Sequence, residues 1–315
     1  MKILYSKEIK EIVSKLHLLP LIKKGFIAYS EEMSVVPPVG ELTFDNPPGE
    51  VHIKYGYIIE DEFYVIKIAS GFANNEQLGI SNGQGMMLMY KQETGECEAI
   101  LLDDAYLTDV RTAVAGAICA ELFSNDVNCI GVLGTGLQAR MQVQYLKDIT
   151  PCRQIQVWGR NKKKMELYQA DMSKEGFQVE LSTSPEDVAK KCNLIITTTA
   201  SSVPLLQGKD ILPGTHITAM GSDTITKQEL STGILEISDL IIADSISQCK
   251  TRGEIFHGLK SGSIEEVDIV ELGNILNGSK SGRSSENQIT LADLTGVAVQ
   301  DIQIAVAVYN AYRGE

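Results

Sequence analysis

The most informative segment of this chain is Ile130-Gly131-Val132-Leu133-Gly134-Thr135-Gly136-Leu137-Gln138-Ala139. An apolar run typical of a buried strand leads into Gly134, Gly136 and Ala139, which form a G-x-G-x-x-A pattern. The first glycine permits a tight turn, the second lets the backbone approach a pyrophosphate, and the alanine lets a helix pack on the strand. We therefore predict a dinucleotide-binding turn rather than a purely structural one. Leu137 and Gln138 would open the helix whose N-terminus faces the phosphates.

The sequence around this segment repeats one pattern of strands and helices. An alanine-rich helix is expected from Thr108 to about Phe123, and short apolar runs then alternate with helical stretches. The expected strands are Cys129–Leu133, Ile155–Trp158, Val179–Leu181, Leu194–Thr198, His216–Met220 and Leu240–Ala243. This alternation is typical of a doubly wound parallel sheet, the Rossmann-type α/β fold.

The N-terminal third of the chain follows another pattern. Residues 51–69 alternate in polarity around a central acidic turn, and Gly83–Tyr90 pairs in the same way with Cys97–Leu102. β-branched and aromatic residues in such an alternation predict antiparallel hairpins. One helix is expected to be capped by Ser6 and a second to follow Pro20, so this part is predicted to be an α+β unit.

Composition excludes several classes of function. The chain has 315 residues with 41 acidic and 28 basic side chains, a net charge of −13, which argues against binding of nucleic acid. No apolar run reaches the ~20 residues of a membrane span and no signal peptide is visible, so a cytoplasmic protein is expected. The six cysteines and four histidines are scattered without ligand spacing, so no metal site is expected.

The end of the second strand of the predicted parallel sheet indicates the preferred dinucleotide. Trp158 is followed by Gly159, Arg160 and Asn161 and then by three lysines, with no acidic residue before Glu166. An acidic residue here hydrogen-bonds the ribose 2′-hydroxyl of NAD, whereas a basic one suits the 2′-phosphate of NADP. Arg160 and Asn161 therefore favour NADP(H) over NAD(H). A solvated basic helix start is the alternative, but it would oppose the helix dipole.

Several motifs together resemble the ornithine cyclodeaminase/mu-crystallin family. They are Leu107-Thr108-Asp109-Val110-Arg111-Thr112-Ala113, Gly134-Thr135-Gly136-Leu137-Gln138-Ala139-Arg140, Met220-Gly221-Ser222-Asp223, Lys227-Gln228-Glu229-Leu230 and Asp293-Leu294-Thr295-Gly296-Val297-Ala298-Val299-Gln300-Asp301. They look most like the Δ1-pyrroline-2-carboxylate reductase and ectoine-utilisation cyclodeaminase branches. The resemblance implies a substrate-binding and dimerisation domain of residues 1–112 and 295–315, and a dinucleotide-binding domain of residues 113–294.

The resemblance also implies roles for single residues. Lys67 is similar to the family lysine beside the substrate, and Arg111 to the arginine whose planar guanidinium grips the substrate carboxylate. Asp223 is similar to the catalytic aspartate and follows a strand at the edge where open α/β sheets place ligands. Thr295 and Gly296 begin the stretch that returns to the substrate.

Two of these roles have structural alternatives. Ile66 and Ile68 point to the opposite face from Lys67, and this alternation alone would place the lysine in solvent. Asp223 could instead be the N-cap of a helix at Lys227–Leu230.

Further residues are expected to line the cofactor. Thr198, Thr199 and Ser201 follow a strand and would lie beside the ribose, and Met220 of the Met-Gly-Ser-Asp motif would lie near them.

The chain departs from the family in one respect. Amino-acid-binding members carry a second arginine before the lysine, but this chain has no arginine before Arg111. Lys54 is the candidate to replace it as a carboxylate partner, although an ammonium is a point charge rather than a fork. This departure weakens the case for ornithine as substrate.

The favoured function is an NAD(P)H-dependent reductase of a cyclic imino acid such as Δ1-pyrroline-2-carboxylate, with hydride transfer at the α-carbon. The alternatives are a cyclodeaminase with bound NAD, a linear amino-acid dehydrogenase and a non-enzymatic, mu-crystallin-like NADPH-dependent binding protein. A homodimer formed through the first domain's sheet is expected.

Overall fold

A computed structural model describes residues 1–314, with the side chain of Glu76 left out. The chain forms two compact units. Unit 1 contains residues 1–112 and the C-terminal segment from Val297, and unit 2 contains residues 113–296. Thr295 and Gly296, which were predicted for the first domain, thus lie in unit 2.

The boundaries of the elements are as follows. The strands are β1 (Lys2–Tyr5), β2 (Ser34–Val35), β3 (Gly40–Asp45), β4 (Pro48–Ile58), β5 (Phe63–Gly71), β6 (Gly83–Lys91), β7 (Cys97–Leu102), β8 (Ile130–Leu133), β9 (Gln154–Trp158), β10 (Gln178–Leu181), β11 (Leu194–Thr197), β12 (His216–Ala219), β13 (Leu240–Ala243), β14 (Ile269–Glu271) and β15 (Thr290–Asp293). The helices are α1 (Ser6–Val13), α2 (Leu18–Ser30), α3 (Tyr106–Phe123), α4 (Leu137–Tyr145), α5 (Lys162–Lys174), α6 (Pro185–Lys191), α7 (Thr232–Ile237), α8 (Ile246–Cys249), α9 (Gly253–Ser261), α10 (Leu272–Leu276) and α11 (Ala298–Arg313).

Two helix starts in unit 1 differ from the prediction. Ser6 is the first residue of α1 and its side chain makes no cap, because Tyr5 occupies the N-cap position. Helix α2 begins at Leu18, so Pro20 lies in its first turn, where a missing backbone N–H costs nothing.

Unit 1 is an α+β unit built on a seven-stranded sheet. Its strands follow the order β1-β7-β6-β5-β4-β2, and β3 also pairs with β4. Strands β4 to β7 pair antiparallel, as the two hairpin patterns predicted. Helix α11 packs on β4 and β5 and also contacts α1 and α2.

The two faces of this sheet have different surroundings. Lys54 and Lys67 are directly opposite each other on β4 and β5, and both are buried. Ile66 and Ile68 lie on the other face and are only half-buried. The alternation in the sequence was therefore read correctly, but the inference that Lys67 faces solvent is wrong, because the helices cover the lysine's side of the sheet.

Unit 2 is a doubly wound α/β unit of Rossmann type. Its eight strands are all parallel in the order β10-β9-β8-β11-β12-β15-β13-β14. The chain runs outward in one direction from β8 and in the other from β11, so these two strands define the switch point. Apolar side chains pack on both faces of the sheet in two clusters. In residues 1–314 no helix is long and apolar enough to cross a membrane.

Candidate functional site

The glycine-rich turn of unit 2 lies at the switch point. Gly134 has φ +127°, and a Cβ there would lie 2.4 Å from Thr198 Oγ1, so only glycine fits the turn. Gly136 is exposed with nothing within 4 Å of a Cβ, and α4 begins immediately after it. Ala139 is fully buried and packs in the core under the sheet. The turn therefore has an open backbone surface at a helix N-terminus, which suits a phosphate.

A cavity of about 150 Å³ adjoins this turn. Its lining residues are Gly134, Thr135, Trp158, Gly159, Arg160, Thr198, Thr199, Ala200 and Leu205. Four residues from the prediction thus come together, although they lie in three separate loops: Gly134, Arg160, Thr198 and Thr199. Parallel strands bring them together because each loop follows the carboxyl end of a neighbouring strand.

Other predicted cofactor residues do not line this cavity. Leu137 and Gln138 lie in the first turn of α4, where Leu137 is exposed. Asn161 is the N-cap of α5 and accepts a hydrogen bond from the Lys164 N–H at 3.1 Å. Ser201 donates its hydroxyl to the Val203 carbonyl at 2.7 Å. Met220 is buried directly after β12.

Asp223 lies in the loop that follows β12. Its Oδ1 forms an ion pair with Lys227 Nζ at 2.6 Å, and the carboxylate side chain is 35% exposed. Residues 227–230 do not form a helix, so the predicted alternative of an N-cap is wrong. The segment folds as a loop with a turn at residues 224–226, and the Ser222 hydroxyl donates to the Lys227 carbonyl at 2.6 Å.

Unit 1 contains a buried cluster of charged side chains under its sheet. Asp301 on α11 accepts from Arg111 Nε at 2.9 Å and pairs with Lys67 Nζ at 3.1 Å. Arg111 Nη1 also lies 3.4 Å from Gln300 Oε1. Lys54 belongs to the same cluster through its charge interaction with Asp301. Strands β4 and β5 and helices α3 and α11 therefore bring together three of the predicted substrate residues.

Burial and charge shift the pKa values in this cluster. Burial lowers the pKa of Lys67 to about 8, although Asp301 opposes the shift. Burial alone would raise the pKa of Asp301, but Arg111, Lys67 and Lys54 outweigh it and hold that pKa below its usual value. Burial raises the pKa of Asp103 to about 6, partly offset by the hydrogen bond from the Leu107 N–H.

The basic side chains of the cluster outnumber its acidic ones. Lys54, Lys67 and Arg111 interact with two carboxyl groups, those of Asp301 and Asp103. A buried site with an excess of basic side chains and a guanidinium suits an anionic ligand such as a carboxylate.

Asp301 is the residue that sequence reasoning missed. It appeared only as the last letter of a motif, yet it contacts two of the predicted substrate residues. The signal was available, because Gln300 and Asp301 are polar residues inside a helix whose neighbours are mostly apolar. A buried carboxylate must find cationic partners, and Lys67 and Arg111 were the candidates.

Thr295 and Gly296 form hydrogen bonds within unit 2. The Thr295 hydroxyl donates to Asp244 Oδ1 at 3.0 Å, and the Gly296 N–H donates to Asp244 Oδ2 at 2.6 Å. Gln248 donates its amide to the Thr295 hydroxyl at 2.9 Å. These contacts give both residues a structural part at the carboxyl end of β15.

Comparison with known proteins extends over the whole chain. A model of the ornithine cyclodeaminase/mu-crystallin family matches residues 2–315. An uncharacterised cyclodeaminase of Sinorhizobium fredii is 36% identical over 315 residues, which cover 98% of this chain and 95% of that protein. A Δ1-pyrroline-2-carboxylate reductase of Bacillus cereus is 26% identical over 314 residues, covering 98% of this chain and 96% of the relative.

A solved structure has a similar fold over nearly its whole length. An archaeal alanine dehydrogenase dimer with bound NAD superimposes with a TM-score of 0.90 and 26% identity, covering 99% of this chain and 97% of the other.

Proposed function

This chain belongs to the ornithine cyclodeaminase/mu-crystallin family, and we propose that it is a nicotinamide-dinucleotide-dependent reductase of a cyclic imino acid such as Δ1-pyrroline-2-carboxylate. The reaction adds a hydride to the α-carbon and a proton to the nitrogen of the C=N bond, which converts this substrate to L-proline. The observation that carries the proposal is the buried cluster of Lys54, Lys67 and Arg111 around Asp301. The reductase of Bacillus cereus supports it.

The cluster would bind the substrate carboxylate. Asp301 holds Arg111 and Lys67 through its two oxygens, so both cations are fixed before the substrate arrives. Fixed donors lose little conformational entropy on binding, which favours a well-oriented substrate. Lys54, opposite Lys67 on the neighbouring strand, adds positive charge where other members are expected to use an arginine.

Unit 2 has the features that a dinucleotide needs. The turn at Gly134 excludes any Cβ, Gly136 leaves its backbone open, and α4 presents its N-terminus there. When bound, the reduced nicotinamide supplies the hydride. Thr198 and Thr199 would contact the cofactor from the loop that follows β11.

Asp223 would supply the protonation chemistry. A carboxylate favours the protonated iminium form of the substrate, which is the more electrophilic form, and it can exchange a proton with the nitrogen. The carboxylate forms an ion pair with Lys227 at 2.6 Å.

NADP(H) is the proposed cofactor form. Arg160 is exposed and lines the cavity beside the glycine-rich turn, and the first turn of α5 has no acidic residue. Arg160→Ala should weaken NADPH binding by about 10-fold or more, the effect of one charge-assisted bond, and should leave NADH binding unchanged. Fluorescence titration of both cofactors measures this. An equal loss for both would show that Arg160 does not contact the 2′-phosphate.

A spectrophotometric screen tests the function. Cyclic imino acids, and α-keto acids with ammonia, are mixed with NADPH or NADH, and oxidation of the cofactor is followed. We expect turnover with a cyclic imino acid and a KM at least about 10-fold higher in Arg111→Lys, because an ammonium cannot form the bidentate contact. Cofactor affinity should stay unchanged in that variant. Cofactor binding without turnover of any compound would favour the non-enzymatic binding protein.

A cyclodeaminase is the second candidate. The cyclodeaminase of Sinorhizobium fredii, at 36% identity, favours it. In that reaction the oxidised cofactor takes a hydride from the amino acid and returns it after cyclisation, so ammonia is released without net change of the cofactor. Ammonia release from ornithine with catalytic NAD⁺ would support this activity. Turnover of α-keto acids with ammonia would instead indicate a dehydrogenase.

We propose further that the protein is a homodimer that pairs through the outward face of the unit 1 sheet, which is the face opposite helix α11. The archaeal alanine dehydrogenase is a dimer.

A further inference from the structure

Glu229 is a buried carboxylate that the proposed chemistry does not use. It belongs to the Lys227-Gln228-Glu229-Leu230 motif in the segment that follows β12, and its side chain has no exposed surface. A carboxylate buried in this way loses its hydration, so it needs strong partners. Burial raises the pKa of Glu229 to about 7, although its hydrogen bonds oppose the shift.

The partners of Glu229 come from the ends of two neighbouring strands. Its Oε2 accepts from the Thr197 hydroxyl at 2.6 Å and from the Gly221 N–H at 2.9 Å, and its Oε1 accepts from the Thr199 N–H at 2.5 Å. Thr197 ends β11, and Gly221 follows the end of β12. One side chain therefore links the loops that leave the carboxyl edge of these two strands.

The two loops approach each other closely at Gly221. A Cβ on Gly221 would lie 2.3 Å from the Thr199 carbonyl oxygen and 2.4 Å from Glu229 Oε2. Both loops carry residues of the candidate site, since Thr199 lines the cavity beside Gly134 and Asp223 follows Gly221. A small shift of the carboxylate would thus move both.

Further hydrogen bonds hold the backbone of Glu229. Glu254 at the start of α9 accepts from the Glu229 N–H at 2.7 Å and from the Leu230 N–H at 3.2 Å. The Glu229 carbonyl accepts from the Leu205 N–H at 2.6 Å, and Leu205 lines the same cavity. The carboxylate is fixed in place before any ligand binds.

From these contacts we infer that Glu229 is a positioning residue for the dinucleotide, which sets the Thr197–Thr199 and Met220–Asp223 loops in the geometry that binds the cofactor. The inference rests on the proposed dinucleotide site. It assigns to the Lys-Gln-Glu-Leu motif a role that requires no contact with the ligand.

Glu229→Gln tests this inference. Glutamine keeps the shape but offers one acceptor oxygen in place of two, so its amide would face either the Thr199 N–H or the donors of Thr197 and Gly221. We expect the Kd for NADPH to rise by about 10-fold or more, measured by cofactor fluorescence. The KM for the imino acid at saturating cofactor should change much less.

Two further variants separate positioning from general stability. Asp210→Asn is the control, because Asp210 is also a buried carboxylate that accepts a backbone N–H, from Gln207 at 2.8 Å, but contacts neither Glu229 nor the two loops. It should lower the melting temperature as Glu229→Gln does, with a clearly smaller effect on Kd. Thr197→Val removes one donor at constant shape and should give an intermediate loss, even if Glu229→Gln fails to fold.

Unchanged NADPH affinity in Glu229→Gln or Thr197→Val, or equal losses in Glu229→Gln and Asp210→Asn, would overturn the inference. Since the readout is cofactor binding, it is independent of which substrate is reduced. Failure of the wild-type protein to reduce any imino acid would count against the proposed function alone.

Discussion

The Asp223 carboxylate combines two features that a proton-transfer group needs. It is partly exposed, so a ligand can reach it, and it forms an ion pair with Lys227. The same ion pair offers a structural explanation for Asp223, which replaces the N-cap that the sequence suggested. A test must therefore distinguish a catalytic role of Asp223 from a purely structural role as the ion-pair partner of Lys227.

Asp223→Asn and Lys227→Met make that separation. If Asp223 stabilises the iminium or exchanges the proton, asparagine keeps the size but lowers kcat by about 10²- to 10⁴-fold. Lys227→Met breaks the same ion pair and should lower kcat far less. Steady-state kinetics at saturating cofactor measures both. Equal, small losses in the two variants would show that Asp223 serves only the ion pair.

Four charged neighbours determine the electrostatic environment of Lys67. Asp301 and Asp103 favour its protonated form, while Arg111 and burial oppose it, and Lys54 lies opposite on the next strand. The result is a lysine pKa of about 8, so its charge changes within the pH range in which enzymes can be assayed.

A pH profile tests whether the charged form of Lys67 binds substrate. Below pH 8 the lysine is protonated and can pair with a carboxylate, and above its pKa of about 8 that charge is lost. We expect kcat/KM to fall by about tenfold per pH unit above this value. In Lys67→Arg the guanidinium stays charged throughout, so the fall should disappear. A wild-type profile that stays level to pH 10 would contradict the assignment.

At the scale of the elements, most of the parallel sheet was predicted from the sequence, and two of its strands were not. Each of the six predicted strands of unit 2 is present, and no end is shifted by more than one residue. Strands β14 and β15 were missed. Strand β15 lies between β12 and β13 in the sheet. Its four residues, Thr290–Asp293, carry little local signal, and long-range pairing determines their place.

The charged cluster of unit 1 shows a second limit of prediction from the sequence. Alternation identified which residues of β5 share a face, but not which face would be covered. That depends on α11, which lies more than two hundred residues further along the chain. The polar residues inside α11 do indicate a buried carboxylate at Asp301, but its pairing with Lys67 and Arg111 depends on the same long-range packing.

The glycine-rich turn gives a prediction at this scale. Gly134→Ala would force a Cβ into the φ +127° conformation and against Thr198 Oγ1. It should therefore lower stability by about 1–3 kcal/mol and also weaken cofactor binding. Gly136→Ala meets nothing within 4 Å and has φ −82°, so it should fold normally. Its methyl group would block only a pyrophosphate that approaches the backbone.

Melting temperature and NADPH titration together measure this pair. Loss of affinity without loss of stability in Gly136→Ala would support the dinucleotide turn. Wild-type affinity in Gly136→Ala would mean that no phosphate approaches the backbone there.

At the scale of the whole molecule, the outward face of the unit 1 sheet presents an exposed apolar surface. Five residues stand in register across five strands: Ile3, Ile100, Leu88, Ile66 and Tyr55. Ile3 and Tyr55 are exposed, and the other three are half-buried. A continuous apolar row of this kind is rare on the surface of a monomer and is typical of a protein interface.

A second copy of the chain is the partner that best fits this row. A two-fold axis would place the row of one subunit against the same row of the other, so the surface needs to be complementary only to itself. We expect light scattering at micromolar concentration to give twice the mass of the chain. Ile66→Asp should shift the protein to monomer, because an unpaired carboxylate cannot be buried in the interface without a large desolvation cost. Lys15→Glu introduces a carboxylate at an exposed position that follows α1 and should leave the dimer intact. A monomeric wild-type protein, or a dimer that persists in Ile66→Asp, would show that this face is not the contact.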